Sequence, residues 1–141
     1  DALRDAVLAR LAHECAQRQP AIGIVAALVR GLASRAAEPA VRGAFIDVLQ
    51  QSPGTSIEVL AAISGRAWEA MRDERLLSNW LQRLAGGDHG QAVFEHCVRD
   101  LMSVPDMAAA LRSALRAADR DAAVGRAFAA MTPDDRSSSP A

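Results

Sequence analysis

From Leu3 to Met131 the apolar residues recur three and four positions apart, and no run alternates in the two-residue rhythm of a strand. That spacing gathers apolar side chains along one side of an α-helix. Leu3, Val7, Leu8, Leu11 and Cys15 make the first such stripe and predict a helix over about Ala2 to Arg18. Breakers then cut the pattern into short pieces: Pro20, Pro39, Ser52-Pro53-Gly54, Gly86-Gly87 and Pro105. The expected fold is all-α, an irregular bundle of about seven or eight short helices.

The second helix, about Ala21 to Arg35, is apolar nearly all round until Arg30, the pattern of a buried central helix. Gly23, Ala27 and Gly31 leave one of its sides almost bare, suited to close approach by a neighbour within the core. A third helix covers about Ala40 to Gln51, and a fourth runs on to about Arg72 behind a Thr55/Glu58 capping box. Asp73-Glu74 opens a fifth, carrying Leu76, Leu77, Trp80, Leu81 and Leu84, which Gly86-Gly87 closes in the left-handed manner. Asp88 with Gln91 has the spacing of a cap for the sixth. Ser103 to Asp106 caps the seventh. The apolar phase slips at 119–121, and Val124, Phe128 and Met131 start an eighth. Residues 1–131 are expected to form one helical domain, and 132–141 a disordered Pro/Ser-rich tail or linker.

Stacked helical hairpins, of the tetratricopeptide or HEAT type, are the alternative. Leu77, Trp80 and Leu81 are offset by 34 residues from Leu111, Ala114 and Leu115. Gly87-Asp88 ahead of Ala92 resembles the helix turn of a tetratricopeptide repeat. The other signature positions do not recur, so no family follows.

Composition narrows the chemistry. All 16 basic residues are arginine, there is no tyrosine, and 31 residues are alanine. No lysine is present for a phosphate loop or a Schiff base. A GC-rich bacterial genome explains the bias; escape from ubiquitin attachment by a protein delivered into a host cell is a second explanation. The formal net charge is −1 with no basic stripe, which argues against nucleic acid and against an anionic membrane surface as partners. The longest apolar stretch, Ala21 to Val29, falls short of the ~20 residues that a spanning helix needs. Cys15 and Cys97 belong to no CxxC pair, and free thiols in a reducing cytoplasm are expected.

Few residues offer chemistry. His89, His96 and Asp100 are spaced to lie near one helix face and are the candidates for a divalent metal, though no tighter paired motif such as HExxH accompanies them. His96 and Cys97 are adjacent, so on a helix they point ~100° apart and do not form a base–nucleophile pair. Trp68 and Trp80 sit on apolar stripes as core anchors; exposed, either would anchor a partner. Leu77, Arg75 and Arg83 complete the candidate contacts. Arg66, Arg72, Arg75 and Arg83 cluster around Asp73 and Glu74, with which local ion pairing is expected.

The expectation is a non-enzymatic adaptor, scaffold or regulatory module, cytoplasmic, without cofactor, that binds another protein and is free to form homo-oligomers through the Leu/Trp face of the fifth helix. The alternative is a helical ligand-binding domain or enzyme with an apolar pocket between the second and fourth helices and His13, His96 and Cys97 as reactive groups. A lysine-free secreted effector is a further reading.

Overall fold

A computed structural model describes residues 1–117 and 122–131. Among them are eight α-helices and no strand: α1 (Ala2–Cys15), α2 (Ile22–Gly31), α3 (Pro39–Leu49), α4 (Ile57–Arg66), α5 (Glu74–Gly86), α6 (Gln91–Met102), α7 (Met107–Ala117) and α8 (Ala122–Ala129). The all-α expectation holds. Short 3-10 turns at Ala33–Arg35, Ser52–Thr55 and Trp68–Arg72 fill the bends. The expected phase slip at 119–121 and the tail at 132–141 lie outside the described residues.

Identifiable side-chain chemistry accounts for the starts of α1, α2, α3 and α5. Asp1 caps α1 by accepting the backbone N–H groups of Leu3 and Arg4, and Asp73 caps α5 by accepting those of Arg75 and Leu76. Pro39 occupies the first turn of α3, where its missing N–H is harmless. α2 has no side-chain cap of its own. Instead Glu14 on α1, buried at 8% exposure, accepts the Ala21 N–H at 3.2 Å and is paired with Arg10. That carboxylate sits where the α2 dipole favours negative charge.

Three expected caps do not form. Thr55 donates its hydroxyl to the Ser52 carbonyl, and Ser56 occupies the cap position of α4 without a side-chain bond. Gly87 follows α5 in an extended conformation, whereas the positive φ falls on Gly90, directly before α6. There the Gln91 side chain donates to the Ala127 carbonyl, so Asp88 and Gln91 do not act as a cap pair. The long fourth helix is broken at Ala67, where φ −119° and ψ 31° leave the helical region.

The helices form two layers. α1, α3, α5 and α7 pack in succession along one, and α2, α4 and α6 along the other, with the α2–α4 contact the most extensive. Polar bonds tie positions 34 residues apart. Arg4 pairs with Glu38 at 2.8 Å, Arg35 with Asp1, and Arg72 with Asp106 at 3.2 Å. Arg83 donates to the Leu49 carbonyl at 2.6 Å. These ties bring together the N-terminal ends of α1 and α3, those of α5 and α7, and the C-terminal ends of α3 and α5. The odd-numbered helices therefore run the same way, as in stacked hairpins. The last hairpin departs from the pattern: α8 packs chiefly on α5. One hydrophobic cluster reaches from Leu11 to Met131, with Trp80, Phe45 and Phe94 its largest fully buried members.

Candidate interaction face

The bare side of α2 faces solvent. Val25, Ala26 and Val29 turn inward, while Gly23, Ile24, Ala27, Arg30 and Gly31 are exposed. The expectation of a helix buried all round is therefore corrected: α2 lies in an outer layer with one side uncovered. Nothing lies within 4 Å of where a Cβ would sit at Gly23 or Gly31. α4 repeats the arrangement. Val59, Leu60, Ala62 and Ile63 are buried, and Ile57, Ala61 and Gly65 stand exposed four residues apart, with open space over Gly65. Only three large hydrophobic side chains among the described residues are exposed, and two of them, Ile24 at 41% and Ile57 at 38%, belong to this face.

Charge is sparse here and sits at the ends. Glu58 lies in the first turn of α4, Arg66 in its last turn, and Arg30 in the last turn of α2. All three are exposed. The cations stabilise the helix C-termini, and Glu58 the N-terminus.

The residues singled out from sequence fall elsewhere. Trp80 and Leu77 are fully buried, and the Trp80 indole donates to the Leu60 carbonyl at 3.0 Å. Both therefore hold the layers together and are out of reach of a partner, which also removes the Leu/Trp face of α5 as a dimer surface. Trp68 is half-buried with the Arg72 guanidinium 5.2 Å above its ring. Arg83 serves the α3 C-terminus. Arg75 is exposed on the polar outer side of α5, near Ser78 and Gln82. The expected local pairing with Asp73 and Glu74 gives way to longer ties: Asp73 pairs with Arg42, and Arg72 with Asp106.

Reactive groups are dispersed. His96 pairs with Asp100 at 3.2 Å on the exposed side of α6. His89 lies in the turn before that helix, its ring close against Gly87 and its Nε2 buried without a hydrogen-bond partner. No group of three potential ligands gathers for a metal ion among the described residues. His13 bonds Gln17 on α1, one layer and two hairpins from Cys97. Burial pushes both thiols up, with Glu14 adding to the effect at Cys15 and Asp100 at Cys97, the direction opposite to an activated nucleophile. α2 and α4 pack closely on each other. A groove of about 320 Å³ opens between α1 and α3, lined by Leu8, Leu11, Cys15 and Val48 together with Asp47 and Gln51.

Among the described residues no helix is long and apolar enough to cross a membrane. Neither the curated proteins nor the solved structures give a match to this chain. One family model matches it, over residues 1–132, and its description is a protein of unknown function. With that match covering nearly the whole chain, this stack of helical hairpins belongs to the DUF3549 family.

Proposed function

We propose that this domain is a non-enzymatic protein-interaction module, an adaptor or scaffold whose stacked hairpins present the outer side of α2 and α4 to another protein. The uncovered side of these two neighbouring helices, its middle built of glycine and alanine and its charges confined to the helix ends, carries the reading. Small side chains let a partner's backbone approach closely, and Ile24 and Ile57 supply apolar area at the N-terminal end of the face. Contiguous apolar surface left in water has a free-energy cost that association recovers. The raised thiols and dispersed histidines favour binding over catalysis.

The test is capture from the native host with three variants in parallel. Ala27→Arg and Ala61→Arg place a long cation on the face, and Gln82→Arg places one on the polar side of α5. A protein retained by the wild type and by Gln82→Arg, and lost from both face variants, supports the module. Equal retention by all three variants removes this face from the function.

The groove between α1 and α3 favours a second reading, a small amphipathic ligand seated over Cys15. Its volume lies at the lower end of the range of small-molecule sites. A ligand-induced rise in Tm that is lost in Leu8→Trp, whose indole would fill the groove, supports that reading.

A further inference from the structure

Resting on the interaction reading, we propose that the occupant of the α2/α4 face is a second copy of this chain, docked about a two-fold axis so that each helix meets its own counterpart antiparallel. Two features of the face point to a copy of itself.

The first is size. An antiparallel two-fold centred on Ala27 and Ala61 sets Gly23 against Gly31, and Ile57 against Gly65, of the other molecule. Ile57 is an exposed knob, and Gly65 is a position with open space where a side chain would be. Each copy then offers the knob and the hole that the other needs, as an isologous interface requires. Ile24 falls opposite Arg30, whose aliphatic stem covers apolar surface while the guanidinium stays in water.

The second is charge. Glu58 and Arg66 stand at opposite ends of the exposed part of α4, and no ion pair joins either of them to another described residue. Antiparallel docking brings Glu58 of each copy within side-chain reach of Arg66 of the other, twice per dimer. Parallel docking would set like charges together. The face is two helices of ten residues, ~15 Å long each. An interface of that size belongs with transient associations.

Sedimentation equilibrium across micromolar to millimolar protein tests the proposal. The wild-type mass should rise with concentration from 14.9 kDa toward twice that value. Ala27→Arg should remain a monomer with an unchanged circular-dichroism melt, and Gln82→Arg should dimerise like the wild type. Glu58→Arg and Arg66→Glu should each weaken the dimer about tenfold, and the double variant should restore it, because a lost fold would not be rescued by a second charge reversal. A wild type that stays monomeric throughout overturns the dimer, as does a dimer indifferent to Ala27→Arg. If the wild type is monomeric while Ala27→Arg still loses a captured protein, the dimer falls and the interaction module stands. If neither dimer nor face-dependent capture appears, both fall.

Discussion

Arg83 on α5 donates its Nε–H to the backbone carbonyl of Leu49, the last residue of α3, at 2.6 Å. A helix C-terminus leaves carbonyls without intrahelical partners and carries partial negative charge. A guanidinium from the next hairpin satisfies both demands and fixes how far α5 can slide along α3. Arg83→Ala should therefore lower unfolding stability by about 1.5–3 kcal/mol, as expected for a charge-assisted bond from a partly buried group. Urea denaturation measures this. The exposed Arg75→Ala should change stability by less than about 0.5 kcal/mol.

Gly54 sits under the same helix end. A Cβ at this position would lie 2.6 Å from the Cα and carbonyl oxygen of Leu49, and backbone has no rotamer by which to retreat. Gly54→Ala should cost about 3 kcal/mol through forced overpacking. Gly65→Ala, with open space around it, should instead hold or raise stability, since alanine is the better helix former. Parallel thermal melts of the two variants separate the cases.

The ties at the chain start make stability sensitive to acid. Arg35 and then Arg4 hold the Glu38 carboxyl below the usual glutamate range, and Arg4 does the same for Asp5. A carboxyl whose folded pKa is depressed contributes stability that is fully present above its unfolded pKa. The contribution fades as the pH falls through the folded value. Stability should thus decline below about pH 4.5, the ordinary glutamate value, and the decline should be shallower in Glu38→Gln. Both carboxyls lie toward solvent, so added salt should shrink the difference between wild type and variant. Melts at a series of pH values, at low and high salt, check the sign and the screening.

The two thiols should report their burial. Cys97 is half-buried and Cys15 buried, and both are held in the protonated form beyond the usual range. With an alkylating reagent at neutral pH, Cys97 should react slowly, Cys15 more slowly still, and both promptly in denaturant. Rapid labelling of either in the native protein would revive a nucleophilic role.

How much of this was legible in the sequence differs from element to element. The stripe of Leu76, Leu77, Trp80, Leu81 and Leu84 announced a helix and its buried side, because large apolar residues at helical spacing have nowhere else to go. α2 misled for the opposite reason. Its uncovered side is built largely of glycine and alanine, which read as apolar yet lose little by facing water, so their number does not say which side is inside. The capping spacings at Thr55 and Asp88 misled because the side chains bond elsewhere: the Thr55 hydroxyl donates to the Ser52 carbonyl three residues back, and the Gln91 amide to the Ala127 carbonyl on α8. The 34-residue offset was visible at Leu77 and Leu111. Its meaning lay in charged partners such as Arg4 with Glu38, which no apolar pattern displays.

Ties that reach only to the adjoining hairpin have a mechanical corollary. Load applied to one end is borne by the nearest neighbour and hardly felt beyond it. Pulled by its termini, the chain should give way as a ratchet rather than a latch, lengthening in discrete jumps of roughly one hairpin and re-forming from whichever part is still standing.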